Sequence, residues 1–244
     1  MSRYWLNTTE KDPAVFQQQS ETVCNVYAGA VSAHERGEHN LSTDEMTGIQ
    51  ALERAAPTKP LRPGQVEKRE FEYIRHGTQA LIANLDIATG QIVAPSVGAT
   101  RTEADFVAHM AQTIATDPDA KWTIVLDQLN THQSEGLVRL VAHLCHLPDE
   151  LGVKDKAGIL KSMASRAAFL SDPTHRLRFV YTPKHSSWLN QIEIWFSTLV
   201  RRLLKRGSFT SVADLRQRLF DFIAFFNRTA KPYKWTYKGR PLQA

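Results

Sequence analysis

The sequence feature that most constrains the fold is a short apolar run that ends in an acid, KWTIVLDQLNTH at 121–132. The segment 122–126 shows no regular alternation of polar and apolar residues, which is typical of a strand buried on both faces. Such strands lie inside sheets that carry helices on both sides. Asp127 follows at the carboxyl end, where ligands bind in open α/β sheets. The sequence therefore predicts an α/β fold with a polar site at the end of this strand.

The segments around this strand predict further strands and helices. Residues 71–97 contain two extended runs about a turn at 86–90, which predicts a hairpin. Thr102 and Ser134 each precede an apolar helical pattern and are typical N-cap residues. The remaining predicted elements are a helix at 13–33, a loop at 57–64, a strand at 177–182 and helices at 187–206 and 211–228. This order predicts an α/β fold with a mixed sheet.

One acid, Glu193, stands inside the apolar stripe of the predicted helix SSWLNQIEIWFSTLVRRLL at 186–204. Leu189 lies one turn before it, and Phe196 and Val200 follow at the spacing of one helix face. A carboxylate on such a face costs stability unless a cation holds it. The pattern therefore predicts that Glu193 points inward toward a cation. The alternatives are an arginine partner or a place at the solvent-exposed rim of the helix.

The charge of the chain is divided unevenly along its length. Residues 177–244 hold 13 Lys or Arg residues against 3 acids, a net charge of +10. Residues 1–176 hold 17 against 22, a net charge of −5. A cationic segment of this kind fits a polyanion such as nucleic acid. The alternative is a solvated basic surface that serves only solubility.

Asp127 and Glu193 together predict a metal site more strongly than either acid does alone. Each has a structural alternative, because acids also cap strand ends and line helix rims. Two carboxylates in one partly buried site repel each other, which raises a pKa unless a cation lies between them. Mg²⁺ binds carboxylate oxygens and keeps waters for substrate phosphates. With a basic segment beside such a site, we expect phosphodiester chemistry.

The composition excludes several other classes of protein. No run of about 18 apolar residues is present, so no membrane-spanning helix and no membrane partner are predicted. The start, MSRYWLNTTEKDP, lacks an apolar signal region, so we expect a cytoplasmic protein. The lone thiols Cys24 and Cys145 match neither a disulfide framework nor a zinc finger.

Three blocks of sequence carry a resemblance to a known family: VLDQLNTH at 125–132, YTPKHSSWLNQIEIWF at 181–196 and FNRTAKPYKWTYKG at 226–239. Together they resemble the catalytic domain of bacterial insertion-sequence transposases of the mariner superfamily, over almost the whole chain. The resemblance implies an RNase H-like fold, a mixed sheet flanked by helices, with an acidic DDE triad. The family's DE…G…ER segment matches DEMTGIQALER. The implied triad is Asp44, Asp127 and Glu193.

The resemblance also implies a reaction, a cofactor and partners. Two Mg²⁺ ions, for which Mn²⁺ substitutes, would be held by the triad and would serve an in-line displacement at phosphorus. Members of the family nick DNA at the element ends and join the freed 3′ ends to target DNA. The implied partners are double-stranded DNA, both as transposon ends and as target, and a second copy of the chain in a DNA-bound homodimer. Such a complex would be associated with the nucleoid.

Several residues near the three acids are weaker candidates for DNA contacts. Asn130 and His132 follow the second acid closely enough to touch a phosphate or orient a water, with a local turn as the alternative. Lys184 and His185 lead into the helix of the third acid, and solvent exposure alone is their alternative. A basic run on that helix, away from its apolar stripe, consists of Arg201, Arg202, Lys205 and Arg206. Phosphate binding and a solvated face explain such a run equally well.

The predicted domain organisation departs from the family pattern in two places. A helical lead-in at 1–35 precedes an RNase H-like DDE domain at 36–244, without the N-terminal helix-turn-helix domain of relatives. A separate helix-turn-helix chain is therefore a candidate partner. The 65 residues between Asp127 and Glu193 exceed the spacing common in the family. The excess falls at about 148–175, where we predict a peripheral, largely helical insertion.

Two other functions stay open beside a metal-dependent enzyme of DNA strand cleavage and 3′-end transfer. One is a catalytically silent DNA-binding or oligomerising transposase fragment with a regulatory role. The presence of all three acids argues against it, whereas the missing recognition domain keeps it open. The other is a different RNase H-like nuclease, such as a resolvase or ribonuclease, which the WLNQIEIWF block at 188–196 disfavours.

Overall fold

The predicted hairpin, helices and later strands follow one another in the predicted order, and a long strand at His39–Arg54, which the sequence pattern does not predict, precedes the hairpin. The computed structural model describes residues 13–239, so the first part of the predicted lead-in, residues 1–12, and residues 240–244 lie outside it. The strands are β1 (His39–Arg54), β2 (Tyr73–Asp86), β3 (Ile92–Gly98), β4 (Trp122–Leu126), β5 (Gly152–Val153), β6 (Ala157–Gly158) and β7 (Leu177–Tyr181). The α-helices are α1 (Pro13–Glu35), α2 (Glu103–Ile114), α3 (Glu135–Leu144), α4 (Met163–Leu170), α5 (Ile192–Leu199) and α6 (Val212–Asn227). Within this part of the chain, no helix is both long and apolar enough to cross a membrane.

Five strands form one mixed sheet in the order β3–β2–β1–β4–β7. β2 is antiparallel to β1 and β3, whereas β4 is parallel to β1 and β7. The turn between β2 and β3 is held by the Asp86 carboxylate, which accepts the N–H groups of Ala88 (2.8 Å) and Thr89 (3.1 Å). Gly90 ends this turn at a φ of +75°, and the Lys231 carbonyl lies where a side chain would be. The predicted hairpin and mixed sheet are confirmed, and the strand predicted at 177–182 is β7, which pairs with β4.

Helices cover both faces of the sheet. On one face, α2, α3 and α4 pack on Ile124 and Leu126 of β4. On the other face, α1 packs on Val125, and α5 and α6 cover residues of β1, β2 and β3. β4 is therefore buried on both faces, as its apolar run predicts. Apolar surface removed from water in this way contributes about 25 cal/mol per Å².

The segment at 148–175 is less helical and less peripheral than predicted. It forms the small hairpin β5–β6, a 3-10 turn at Ile159–Lys161 and the eight-residue helix α4. Leu151, Leu160 and Leu170 are buried in the same core cluster as α2 and α3. These leucines are part of the core, whereas a peripheral insertion would leave its side chains exposed to solvent. The segment does not come between β4 and β7 in the sheet, because these two strands pair directly.

The helix predicted at 187–206 is interrupted near its start. A 3-10 turn at Ser187–Leu189 ends at Asn190, whose φ of −85° and ψ of 110° are those of extended chain. α5 then buries Ile192, Trp195, Phe196 and Leu199. Because Leu189 does not share this helix, the buried stripe is centred toward Trp195 and leaves Glu193 exposed at its edge. The prediction that Glu193 points into the core is wrong.

Candidate active site

Asp44 and Asp127 lie at the same edge of the sheet. β1 and β4 pair in parallel from His39 opposite Trp122 to Ser42 opposite Val125. Continuing that register by two residues brings Asp44 level with Asp127, and neighbouring strands lie about 4.8 Å apart. Since side chains alternate along a strand, Asp44 is on the same face as Ser42, the face that α5 covers.

Asp44 is buried among other acids. Its Oδ2 accepts a hydrogen bond from Asn190 Nδ2 (3.2 Å), and its Oδ1 accepts the N–H of Glu45 (2.8 Å). Burial raises the pKa of Asp44 to about 7, and the negative charges of Asp127, Glu45 and Glu193 add to that rise. Carboxylates repel one another in this way only when they lie close together. Asp44 is therefore the centre of an acidic cluster.

Asn190 attaches the start of α5 to β1. Its Nδ2 also donates to the carbonyl of Thr43 (2.9 Å), and its Oδ1 accepts the hydroxyl of Ser42. The Ser42 hydroxyl in turn accepts the N–H of Ile192 (2.9 Å). The hydroxyl of Tyr27 in α1 donates to the carbonyl of Leu189 (2.6 Å). These bonds hold the first turn of α5 against Ser42 and Thr43, in the first part of β1.

Glu193 lies in that first turn, on the side that faces the acids. Partial burial raises its pKa, and the charge of Asp127 raises it further. Between residues 13 and 239, no Lys, Arg or His forms an ion pair with Glu193, so the arginine partner considered as an alternative is absent from this range. Three acids from β1, the end of β4 and α5 thus lie close enough together for their charges to interact.

Asp127 differs from the other two acids because a histidine holds it. The Oδ1 of Asp127 contacts His132 Nδ1 (2.7 Å) and accepts the N–H of Leu129 (2.9 Å). His132 Nε2 contacts Glu45 Oε1 at 3.0 Å. Burial opposes a charged imidazole, yet the two carboxylates raise the pKa of His132 to about 10. Burial likewise opposes the charge of Asp127, but the hydrogen bond from His132 keeps the pKa of Asp127 below its ordinary value.

The donor chemistry of the three acids fits a hard divalent cation. All the donors are carboxylate oxygens, which Mg²⁺ prefers, and Asp44 and Glu193 carry raised pKa values that a cation would reverse. In the present conformation, no three His, Cys, Asp or Glu side chains of the described residues surround a common metal position. Glu193 is exposed, so its side chain is free to adopt the rotamer that a shared ion requires.

The structure separates the weaker DNA-contact candidates into three groups. Asn130, Lys184 and His185 line a groove of about 970 Å³ that begins at Asp127. His132 is fully buried and bonded to two carboxylates, so its predicted contact with a phosphate is not supported. The basic run is exposed: Arg201 and Arg202 lie in a π-helical turn, Val200–Leu204, that continues α5, and Lys205 and Arg206 follow it. Its first arginine is eight residues after Glu193, about 12 Å along the helix axis.

Sequence reasoning missed Glu45 and Asn190. Glu45 looks like one more polar residue in a strand, and Asn190 like a helical one, so neither gives a local signal. Both residues lie in blocks that carry the family resemblance, DEMTGIQALER and WLNQIEIWF. Their place in these blocks is the one signal by which the sequence could have identified them.

Comparison with known proteins agrees with this arrangement. The family model described as DDE superfamily endonuclease matches residues 40–216. That range begins in β1 and ends in α6, and it contains all three acids. No curated protein sequence matches the chain.

Solved structures of the Mos1 mariner transposase share the fold. The Mos1 mariner paired end complex with Mn aligns with a TM-score of 0.51 at 11% identity, over 92% of this chain and 60% of that chain. The paired-end complex with left transposon end gives 0.51 at 10% identity, over 92% and 59%. The Mos1 catalytic domain with Raltegravir and Mn gives 0.51 at 10% identity, over 91% and 85%.

The chain therefore spans about 60% of the length of the Mos1 chains in the paired-end complexes, and most of the Mos1 catalytic domain. The mixed sheet flanked by helices is the RNase H-like fold of that domain. A family model that covers well over half of the chain, together with this fold, shows that the chain belongs to the DDE superfamily endonucleases.

Proposed function

We propose that this chain is a DNA transposase catalytic domain that cleaves DNA strands and transfers their 3′ ends, with Mg²⁺ as cofactor and Mn²⁺ as a substitute. The observation that supports the proposal is the acidic edge formed by Asp44 in β1 and Asp127 after β4, with Glu193 of α5 close enough for its charge to raise the pKa of Asp44. The three acids would hold the ions. Bound divalent ions would supply activation of the attacking hydroxyl and stabilisation of the leaving oxygen in an in-line displacement.

The chain's own residues prepare this site in different ways. Asn190 fixes one oxygen of Asp44, and His132 fixes one oxygen of Asp127, so both carboxylates are oriented before any ligand arrives. Glu193 is the adjustable member, because its side chain is exposed in the first turn of α5. Fixing the donors in advance lowers the reorganisation that the reaction needs.

DNA is the proposed substrate on three grounds. The matched Mos1 structures include a complex with a transposon end. The groove beside Asp127 is lined mainly by neutral polar side chains and Lys184, groups that hydrogen-bond to phosphates and bases. Arg201, Arg202, Lys205 and Arg206 form an exposed basic face along the helix that carries Glu193. We include in this proposal a homodimer on DNA and recognition of the element ends by a helix-turn-helix module on a separate chain.

The proposal is tested by nicking and binding assays on DNA with and without inverted-repeat ends. Asp127→Asn is expected to reduce Mg²⁺-dependent nicking by at least about 10²-fold, since it removes an electrostatic stabiliser of the reaction. Binding should be unchanged or tighter, because a negative charge near phosphate is lost. The control is Asp119→Asn, a substitution of an exposed acid outside the site, which should nick like the wild type. Equal nicking by Asp127→Asn and wild type would contradict the proposal.

The basic face is tested in the same series. Arg201→Glu combined with Arg202→Glu should weaken DNA binding and flatten its dependence on salt, because fewer counterions are released. The same double variant should leave the acidic edge folded. Wild-type protein that binds DNA yet nicks none with Mg²⁺ or Mn²⁺ would favour the silent regulatory fragment instead.

A further inference from the structure

Glu45 and His132 form a buried pair behind the acidic edge, to which the proposed reaction assigns no role. Glu45 follows Asp44 on β1, so the two side chains leave opposite faces of the sheet. Asp44 faces α5, whereas the Glu45 side chain is only 2% exposed and meets His132 on the face covered by α2 and α3. One strand therefore supplies adjacent acids to the two sides of the sheet.

The imidazole of His132 is fixed on every side. Its Nε2 lies 3.0 Å from Glu45 Oε1, its Nδ1 lies 2.7 Å from Asp127 Oδ1, and the ring packs on Phe106 with centroids 4.4 Å apart. Its backbone carbonyl accepts the hydroxyl of Tyr181 in β7 (2.8 Å). The ring has no freedom to turn without breaking these contacts.

The segment 148–175 supports the same turn from the other side. The buried Arg166 of α4 donates from Nε to the carbonyl of Gln133 (2.7 Å) and from Nη1 to the carbonyl of Leu160 (2.9 Å). Gln133 is the last residue of the 3-10 turn Asn130–Gln133 that carries His132. The longer connection in this chain thus contributes directly to the rigidity of the turn.

We propose that Glu45 and His132 are positioning residues that set the orientation of the Asp127 carboxylate. The inference rests on the proposed function of Asp127. A carboxylate is free to rotate about its last bond, since such terminal torsions are broad. The contact to Oδ1 removes that freedom and directs Oδ2 toward the position that Asp127 would share with Asp44 and Glu193.

Stability alone is a poor explanation for this arrangement. A buried ion pair is often no more stabilising than apolar side chains of the same volume, so a core needs none. The series from Glu45 through His132 ends at the Asp127 carboxylate, which is 40% exposed, while Glu45 Oε2 lies 3.9 Å from Nη1 of the exposed Arg101. Functional constellations need angles held to about 10–20°, and such support comes from bonds behind the ligands.

The test measures binding of Mn²⁺ alone to the full chain, together with the Mg²⁺ dependence of nicking. Loss of a partner behind a metal ligand typically costs about 10–100-fold in metal affinity, and Glu45→Ala should weaken Mn²⁺ binding by that factor. The Mg²⁺ concentration for half-maximal nicking should rise to match, while the rate at saturating Mg²⁺ stays within a few-fold. A purely structural role would lower the melting temperature without raising the Mg²⁺ concentration that half-maximal nicking requires.

Two further variants keep the test decisive. Glu45→Gln keeps an oxygen acceptor on a side chain of nearly the same length but removes the charge. Mn²⁺ binding should therefore be about 3–10-fold weaker. This variant replaces Glu45→Ala in the test if Glu45→Ala does not fold. Asp117→Ala removes the partner of His39, the first residue of β1, whose Nε2 lies 2.8 Å from Asp117 Oδ2, and should leave Mn²⁺ binding within about two-fold. Unchanged Mn²⁺ affinity in folded Glu45→Gln would overturn the positioning role alone. A wild type that binds no Mn²⁺ would overturn the proposed function and this role with it.

Discussion

The regions around His132 and His109 meet at the ring of Phe106, whose centroid lies 4.4 Å from the first imidazole and 6.5 Å from the second. Both histidines are buried. His132 lies between two carboxylates, which raise its pKa to about 10 against the effect of burial. Among residues 13–239, the His109 ring has one hydrogen-bond partner, the Ser96 hydroxyl (2.7 Å), and burial lowers the pKa of His109 to about 3. Burial alone thus neutralises an imidazole, and it takes paired acids to keep one charged.

The two regions also differ in how completely their polar atoms are bonded. Both ring nitrogens of His132 have partners. The Nε2 of His109 is buried without a hydrogen-bond partner among residues 13–239. A polar network in the interior is stabilising only when its members are satisfied. We therefore expect a substitution of His132 to lower the free energy of unfolding strongly, and a substitution of His109 to change it little.

The largest expected effect is that of His132→Leu. This change leaves the buried Glu45 with Arg101 alone, whose Nη1 lies 3.9 Å from Glu45 Oε2. Breaking a buried pair costs about 3–5 kcal/mol of the free energy of unfolding. Urea denaturation followed by circular dichroism measures that loss at pH 7. A loss below about 1 kcal/mol would show that Glu45 is not held as a charge, and the contrast between the regions would fail.

The second effect is a dependence of stability on pH that belongs to His109. Its folded pKa of about 3 lies below the unfolded value, so the unfolded chain binds a proton first as pH falls below about 6.5. The contribution of neutral His109 to the free energy of unfolding is complete above pH 6.5, and it falls by about 1.4 kcal/mol per pH unit toward pH 3. At pH 5 the loss is about 2 kcal/mol.

The measurement is the difference between wild type and His109→Leu in urea midpoints from pH 8 to pH 5. The variant lacks the titrating group, so its stability should fall less steeply with acid than that of the wild type. Parallel pH curves for the two proteins would show that His109 is accessible to protons in the folded state.

The smallest expected effect is that of His109→Leu at pH 8, where the imidazole is neutral in both states. The change removes an unpartnered nitrogen and keeps a similar volume, so the free energy of unfolding should stay within about 1 kcal/mol of wild type. Thermal or urea unfolding at pH 8 measures it. A loss near that of His132→Leu would mean that the Ser96 contact is worth far more than an ordinary hydrogen bond.

Elements set by local pattern could be predicted from the sequence. The apolar run of β4 predicts a strand buried on both faces, and Ile124 and Val125 do enter opposite core clusters. Thr102 and Ser134 accept the N–H groups expected of N-caps. Each of these features depends on a few neighbouring residues, and the physics that decides it is contained in them.

Features that depend on distant partners could not be predicted in this way. Asn190 interrupts a good helical pattern because its side chain bonds to β1, 147 residues away. His132 looks like a turn residue, and its contact with Glu45, 87 residues earlier in the chain, joins that with Asp127 to keep it charged in the interior. The same holds for Glu193, whose exposure follows from where α5 starts. Periodicity describes one element, whereas the site combines β1, the end of β4, the 3-10 turn Asn130–Gln133 and α5.

The hydrogen bond from Ser42 to Asn190 also has a consequence in time. These residues are 148 positions apart, and Tyr27 and Leu189 are 162 apart. Contacts of such separation form late, because the loop between them must close first. On a ribosome that adds about 5–20 residues per second, β1 emerges roughly 10–30 s before the segment that fixes its acid. An unfinished chain therefore carries Asp44 but not the bonds that orient it, so the acidic edge is complete only after α5 has been made.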